Sequence, residues 1–407
     1  MKYGLIGEKL GHSFSKVIHE KIADYTYELK EIPADGLDCF MREKDFLGIN
    51  VTIPYKSAVI PYLDYIDPAA EKIGAVNTVI NRNGKLFGYN TDFGGLKMLT
   101  EKACFDYKGK KVLILGSGGT SRTARAVAEA LGAGDIVTVS RGGEVNYENL
   151  YSLHADADFI INTTPVGMYP DNGSVAVSAG RFEKLSGITD VVYNPLKTKL
   201  CLEAEKSGVK TVGGLYMLVC QAVLAGSLFT GEKPDIKKIS DEIYSDLLRE
   251  KQNIVLIGMP GSGKTTTGKA LAEKTGKTFV DTDEIIVSGY GNISDIFAVR
   301  GETFFRDAET EAVKEASKLN GAVIATGGGA VLRKENVDFL RQNGKLFFLN
   351  RPLEDIIPTS DRPLSSDCEA LKKRFDERFD IYLSSADKEI YVDGDVDSTV
   401  KRILECL

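Results

Sequence analysis

Gly116-Ser117-Gly118-Gly119-Thr120-Ser121 follows the apolar run Lys111-Val112-Leu113-Ile114-Leu115, and Gly258-Met259-Pro260-Gly261-Ser262-Gly263-Lys264-Thr265 follows Asn253-Ile254-Val255-Leu256-Ile257. Each is a glycine-rich turn leading from a strand into a helix, so each predicts an open α/β sheet with a nucleotide at its carboxyl edge. The two turns differ in design. The first has the Rossmann spacing, in which a dinucleotide pyrophosphate rests on a helix N-terminus and no lysine is needed. Its candidate contacts are Gly116, Ser117, Gly118, Gly119 and Thr120. The second is a full Walker A loop, with Lys264 placed for the β- and γ-phosphates and Thr265 for magnesium. Gly261, Ser262, Gly263 and Thr266 complete the expected ATP cradle. Two such loops predict two nucleotide-dependent reactions in one chain.

At 407 residues the chain exceeds what one hydrophobic core supports and predicts two or three domains. A composition of 43% apolar and 27% charged residues is that of an ordered globular protein. A net charge of −7 with no basic cluster argues against nucleic acid as a partner. Cys39, Cys104, Cys201, Cys220, Cys368 and Cys406 form no C-x-x-C pair and read as buried small hydrophobes of a reducing cytoplasm. The opening MKYGLIGEKLGHS enters a strand at once, which leaves no room for a signal peptide. No apolar run approaches the roughly 20 residues of a membrane span. These features predict a cytoplasmic protein with small-molecule substrates and no membrane partner.

The pattern along the chain divides it further. Runs KYGLIG, TYELKEI, GINVTI, AVNTVI and KLFGYN give residues 1–95 an α/β pattern of their own. KVLIL, IVTVS, FIINTT and ITDVVY predict a parallel doubly wound sheet over 96–215. GLYMLVCQAVLAGSLFT is an apolar helix, and Ile236, Ile239, Ile243 and Leu247 fall on one face of another. REKQN at 249–253 is the expected linker. Residues 254–407, with strands NIVLIG, TFVDTD, AVIATG, KLFFLN and EIYVD, suit one P-loop domain with a parallel sheet.

Outside the first turn lie polar clusters at Ser13 and Ser15, at Asn50 to Lys56 including Thr52, at Asn77, at Asp92 and at Gln221. Hydroxyls, amides, one lysine and one aspartate suit a small polyhydroxylated substrate. Carbonyl/alcohol interconversion with a nicotinamide needs a group that delivers or removes the alcohol proton, and Lys56 with Asp92 beside it meets that need. The strand IVTVS ends in Ser140-Arg141-Gly142 with no acid at its tip, and Arg141 there favours a 2′-phosphate, hence NADP(H) over NAD. No second basic residue follows.

The ordered motifs Y-G-L-I-G–x–H-S-x-S, G-I-N-V-T-I-P-Y-K, I-G-A-V-N-T-V, G-Y-N-T-D, G-S-G-G, I-N-T-T-P-V-G-M and G-G-L-Y-M-L-V-C-Q-A resemble the shikimate dehydrogenase family across 1–248. The resemblance implies that Ser13, Ser15, Asn77, Asp92 and Gln221 hold the substrate with Thr52 beside them. It also implies that Lys56 and Asp92 are the catalytic pair, and that Tyr193 and Gly214 line the nicotinamide side. The substrate domain would be discontinuous, 1–95 with 216–248, around a Rossmann domain at 96–215. Lys16 and Glu20 depart from the family pattern on what should be the helix after the serines.

In the last 150 or so residues, Asp281-Thr282-Asp283 follows a strand at the carboxyl edge. Strand alternation would put its two carboxylates on one side, one for the metal shell and one for an acceptor hydroxyl. No histidine follows His154, so any acceptor base here is a carboxylate. Arg306, Arg362 and Arg378 lie in polar contexts near apparent loop or helix ends, and guanidinium forks recognise carboxylate or phosphate. Gly327-Gly328-Gly329 would let backbone approach a ligand. F-V-D-T-D, I-F-x-x-x-G-E-x-x-F-R, G-G-G-A-V, D-R-P-L and E-R-F-D-I-Y together resemble shikimate kinase, a fold like that of the nucleoside-monophosphate kinases. The resemblance implies that Asp283, Arg306, Gly328, Gly329 and Arg378 bind shikimate and that Asp283 orients or deprotonates its hydroxyl. Asp281 would join Thr265 in the Mg2+ shell, and Arg362 on a short lid would reach the transferring phosphoryl group. The lid lacks the arginine that many relatives place against adenine.

The two resemblances imply successive steps: reduction of 3-dehydroshikimate with NADPH, then phosphorylation of shikimate at the 3-hydroxyl with ATP and Mg2+. The rivals are a quinate dehydrogenase using NAD, another small-molecule P-loop kinase such as a gluconate-type enzyme, and one half acting as an inactive ligand sensor. Arg141 argues against the first, the DTD–Arg306–GGG–Arg378 set against the second, and Lys56, Asp92, Lys264 and Asp283 against the third.

Overall fold

Apolar runs of four or five residues become buried strands throughout the chain, as sheets covered on both faces require. The computed structural model describes residues 1–11, 13–356 and 368–407, with side chains from 371 on in the last segment. Two units divide it, Met1–Asp246 and Leu247–Leu407.

The first unit holds two sheets. Strands β1 (Tyr3–Gly7), β2 (Tyr27–Glu31), β3 (Gly48–Val51), β4 (Tyr65–Ile66), β5 (Thr78–Arg82) and β6 (Lys85–Tyr89) line up as β2-β1-β3-β5-β6-β4. β1 runs parallel to β2 and β3, whereas β5 is antiparallel to both β3 and β6. The β5–β6 hairpin closes through Asn83-Gly84, both with positive φ, the two-residue turn whose twist matches the strands. Strands β7 (Lys111–Leu115), β8 (Asp135–Val139), β9 (Phe159–Asn162), β10 (Gly187–Asp190) and β11 (Lys210–Val212) form an all-parallel sheet, β11-β10-β9-β7-β8. Its order reverses between β7 and β9, and such a switch point opens a crevice at the carboxyl ends of the strands.

One apolar helix, Leu215–Thr230, touches both sheets. Its Ala225 and Phe229 pack with Leu5, Tyr27 and Ile80, while its Tyr216, Met217 and Cys220 pack with Leu96, Val112 and Ala124. It is buried nearly all round, which explains its almost uninterrupted apolar sequence. The helix Thr91–Lys102 lies against it at Gly95, where a Cβ would stand 2.7 Å from the Met217 carbonyl oxygen. Glycine is therefore required at that crossing.

The second unit is one parallel sheet of β12 (Asn253–Ile257), β13 (Thr278–Asp281), β14 (Ala322–Ala325), β15 (Gly344–Asn350) and β16 (Lys388–Tyr391), ordered β13-β14-β12-β15-β16. The Walker loop leaves the central strand β12 and enters the helix Lys264–Thr275. The long helix Ile293–Ser317 breaks at Gly301, whose φ is 79°.

The structure corrects several expectations. Residues 249–253 are not a linker: the helix Ile236–Lys251 runs through Arg249 and β12 begins at Asn253, with the unit boundary falling inside that helix. Its apolar face, including buried Ile243 and Leu247, carries the helix past the polar stretch. Strands β4 and β11 escaped the sequence reading because two or three residues show no periodicity. Cys39 and Cys104 are exposed rather than buried; Cys201 and Cys220 are buried, and the side chain of Cys368 lies outside the described residues. Among the described residues no helix is long and apolar enough to cross a membrane.

Candidate active sites

In the first unit a cavity of about 460 Å3 opens between the two sheets. Ser13, Ser15, Thr52, Lys56, Asn77, Asp92 and Gln221 line one side; Thr120, Thr163, Thr164, Tyr193 and Gly214 line the other. Every substrate-side residue expected from sequence is thus brought together. The rest of the turn lies outside the cavity wall, Gly116, Ser117 and Gly118 between β7 and the helix Gly119–Ala130 and Gly119 at the start of that helix. A Cβ on Gly119 would sit 3.7 Å from the Lys56 side chain, so the helix that would receive a pyrophosphate begins beside the lysine.

Lys56 Nζ donates to Asp92 Oδ2 at 2.5 Å, with only 15% and 9% of the two side chains exposed. Asp92 occupies the first turn of the helix Thr91–Lys102, whose N-cap Asn90 accepts from the Phe93 N–H. Lys56 is tied by its own carbonyl to the Val76 N–H, next to Asn77. Asn77 is fixed on both ends of its amide: Nδ2 donates to Thr91 Oγ1, and Oδ1 accepts from the Thr91 N–H. Behind it Asn50 accepts from the Tyr27 hydroxyl and donates to Thr78 Oγ1 and the Asn77 carbonyl. Ser13 Oγ donates to Ser15 Oγ at 3.0 Å, and Gln221 Nε2 donates to the Leu218 carbonyl of its own helix. The Tyr193 ring lies tilted at 54° to Phe14 with centroids 5.4 Å apart, and burial pushes its phenol pKa up while Ser13 opposes.

Arg141 follows β8 by two residues and is exposed, away from the cavity. Lys16 and Glu20 pair with each other on the outer face of the helix Ser15–Ile22, so those departures stay at the surface. Beneath that helix His19 is fully buried, stacked on Tyr27 at 3.9 Å, and hydrogen-bonded to the Tyr25 hydroxyl. Desolvation lowers its pKa to about 3, with Asn50 opposing.

In the second unit Lys264 is buried under its own loop, Nζ donating to the carbonyls of Gly258 and Met259 at 2.9 and 2.8 Å. Thr265 Oγ1 donates to Asp281 Oδ2 at 2.8 Å, linking the first helical turn after the loop to the end of β13. Strand alternation does not govern the D-T-D segment. Asp281 ends the strand and caps the helix Thr282–Tyr290 by accepting from the Asp283 N–H, so Asp283 is helical. The two carboxylates part company: Asp281 faces Thr265, and Asp283 lies against Gly327 and within the field of Glu309.

Arg306 and Arg378 also differ from expectation, being buried along helices rather than set near loop or helix ends. Arg306 donates to Glu309 Oε2 at 2.8 Å and Glu302 Oε1 at 3.1 Å. A Cβ on Gly329 would fall 2.0 Å from Arg306 Nη1, so only glycine admits the guanidinium there. Arg378 Nη1 and the Tyr382 hydroxyl both donate to the Gly328 carbonyl. Burial pushes the Glu309 carboxyl up, and Arg306 pulls it back. Glu309 and Tyr382 were missed in sequence; the signal was their spacing, three residues from Arg306 and four from Arg378, which puts each on its arginine's helical face. Arg362 and the short lid lie outside the described residues.

Comparison with known proteins decides the family. A family model described as the shikimate dehydrogenase substrate binding domain matches residues 5–79, and one described as shikimate kinase matches 260–407. A shikimate dehydrogenase (NADP(+)) of Clostridium perfringens strain SM101 is 41% identical over 266 residues, covering 60% of this chain and 97% of the relative. The chain belongs to the shikimate dehydrogenase family. Its C-terminal unit carries a shikimate kinase domain. A shikimate dehydrogenase (NADP(+)) of Halothermothrix orenii is 37% identical, covering 60% and 96%. Among solved structures, shikimate dehydrogenase 1 of Peptoclostridium difficile superposes with a TM-score of 0.57 at 37% identity, over 61% of this chain and 98% of that one. The Thermus thermophilus enzyme, solved with NADP(H) and shikimate, gives 0.53 at 28% identity, over 60% and 99%.

Proposed function

We propose that the chain performs two consecutive reactions of aromatic amino-acid biosynthesis, reducing 3-dehydroshikimate to shikimate in the first unit and phosphorylating shikimate in the second. The carrying observation is the Lys56–Asp92 pair in a cavity walled by hydroxyls and amides, at the switch point beside a dinucleotide turn.

Gly116 to Thr120 would hold NADPH, with Arg141 for its 2′-phosphate, and the bound cofactor would supply the hydride. Lys56 supplies the proton. Its ammonium lies inside the cavity and delivers a proton to the carbonyl oxygen as charge develops there, while Asp92 holds the nitrogen in place. Ser13, Ser15, Thr52, Asn77 and Gln221 orient the substrate, and the doubly fixed amide of Asn77 offers a rigid contact. Tyr193 and Gly214 complete the nicotinamide wall.

The second unit has the donor set that magnesium and ATP require. Thr265 and Asp281 place a hydroxyl and a carboxylate 2.8 Å apart beside Lys264, and magnesium bound with phosphates takes only one or two protein oxygens. Mg2+-ATP supplies the phosphoryl group. Gly261 to Thr266 would hold its phosphates, and Arg362 would act from the lid. Asp283 orients the acceptor hydroxyl and accepts its proton, while Arg306 and Arg378 grip the acceptor carboxylate beside Gly328 and Gly329.

The test is to give the purified chain 3-dehydroshikimate, NADPH and Mg-ATP and to measure both NADPH oxidation and shikimate 3-phosphate. Formation of shikimate without its phosphate would confine the activity to the first unit.

A further inference from the structure

Among the described residues of the first unit, the mechanism leaves one buried carboxylate unused. Asp190 ends β10 directly before the wall residues Val191 to Asn194, and it is fully buried. Its Oδ1 accepts from Asn162 Nδ2 and from the Val192 N–H, both at 3.0 Å, and its Oδ2 accepts from Thr198 Oγ1 at 2.7 Å. The three donors come from different places. Asn162 ends β9, and its own Oδ1 accepts from the Thr164 N–H and hydroxyl. Val192 is the second residue of the loop after β10 and accepts from the Gly214 N–H through its carbonyl. Thr198 caps the helix Lys199–Lys206, where that loop ends.

With Thr120 and Gly214, these same two loops make up the cavity wall on the side of the second sheet. Thr163, Thr164 and Tyr169 come from the loop after β9, and Val192, Tyr193 and Asn194 from the loop after β10. They lie at the carboxyl ends of β9 and β10, on the dinucleotide side of the switch point. The Asn162–Asp190 bond is a side-chain link at the base of the two loops, beside the strand pairing below them, a Tyr169 N–H to Asn194 carbonyl bond and a Lys199 Nζ to Gly173 carbonyl bond.

We infer that Asp190 is a positioning residue for cofactor binding, a buried acceptor that holds both loops of the nicotinamide wall in register. It touches neither ligand and acts through Asn162, Val192 and Thr198. A buried carboxylate costs desolvation, and here burial pushes its pKa up to about 6 against the pull of Thr198, Val192 and Asn162. With all its donors supplied by backbone and neutral side chains, its use is geometric, so shape should matter more than charge. An asparagine keeps one oxygen for Asn162 and Val192 and turns its amide toward the Thr198 hydroxyl. An alanine leaves three donors buried without an acceptor, each a cost the wall can relieve only by moving.

This inference rests on assigning the cavity to a nicotinamide and its substrate. Its test is therefore direct binding to the full-length chain, with NADPH followed by fluorescence and shikimate by calorimetry. Asp190→Ala should weaken NADPH about tenfold, which is about 1.4 kcal/mol, and leave shikimate affinity near wild type. Asp190→Asn should recover most of the loss. Merely destabilising the fold would lower the melting temperature and the active fraction without separating the two ligands. If Asp190→Ala does not fold, Asn162→Ala cuts the same link and should shift NADPH in the same direction. NADPH affinity unchanged in the folded variants, or an equal loss of both ligands, would overturn the inference. Wild-type protein that binds neither ligand would overturn the cavity assignment itself, and the role of Asp190 with it.

Discussion

Replacing Lys56 by methionine separates proton delivery from everything else the cavity does. The side chain keeps its length and its place beside Gly119, and the ammonium that meets Asp92 at 2.5 Å disappears. Besides Asp92 and Lys9, the latter exposed, the polar groups left on the substrate side are hydroxyls and amides, none of them an acid near neutral pH. The loss should therefore approach the full value of general acid catalysis, about 10²–10⁴ in kcat, or about 2.7–5.4 kcal/mol at 1.36 kcal/mol per decade. The Michaelis constant should move much less, because serine, asparagine and glutamine contacts persist. Asp92 is the complication, since the variant leaves a carboxylate 9% exposed beside no cation. Lys56→Arg resolves it. A guanidinium still pairs with Asp92 but does not give up a proton, so this variant should fold with wild-type stability and remain nearly as slow as methionine. NADPH absorbance gives the reductase rate, and the kinase rate of the same polypeptide standardises protein concentration. A methionine variant retaining more than about a tenth of wild-type kcat would refute Lys56 as the acid, since that residue loss falls short of the smallest general-acid effect.

Arg141→Ala should raise the Michaelis constant for NADPH and leave that for NADH nearly unchanged; equal weakening of both would make the residue structural. Asp283→Asn should nearly abolish phosphorylation while ATP binding, measured by titration, persists, and robust turnover would remove Asp283 from the acceptor site. His19, buried and neutral with its pKa lowered to about 3, is protonated more readily in the unfolded chain. Stability of the first unit should thus fall as pH drops from about 6.5 toward 3, at up to about 1.4 kcal/mol per pH unit. Urea midpoints of His19→Phe should show a shallower acid-side slope than wild type. Lys277 Nζ donates to the carbonyls of Arg249, Glu250 and Gln252, and Leu247 is fully buried, so a kinase fragment must begin before the helix ends. A fragment starting at Lys251 should be about 2–4 kcal/mol less stable to urea than one starting at Leu247, and equal stability would show that this anchor contributes nothing.

The nucleotide chemistry was legible in the chain because a phosphate turn is local. Glycines, a lysine and a threonine at fixed spacing between a strand and a helix carry their meaning within a dozen residues, and so do the apolar runs that form β5 and β6. Resemblance extended that reading to residues far apart in sequence. Three-dimensional contact gave the geometry behind those expectations and decided the rest. The pairing of Lys56 with Asp92, 36 residues away, depends on the helix Thr91–Lys102 meeting the helix Leu215–Thr230 at Gly95. The divergence of Asp281 and Asp283 follows from a helix starting where a strand was expected to continue. Arg306 and Arg378 look like surface residues in sequence, yet they are buried because Glu309, Glu302 and the Gly328 carbonyl supply acceptors from separate segments. Asp190 illustrates the same limit, since its three donors span residues 162 to 198 and no local pattern marks them. Local spacing sets which groups a segment can offer, whereas burial and partner are set by long-range packing, because desolvation is tolerable only where the fold returns a hydrogen bond.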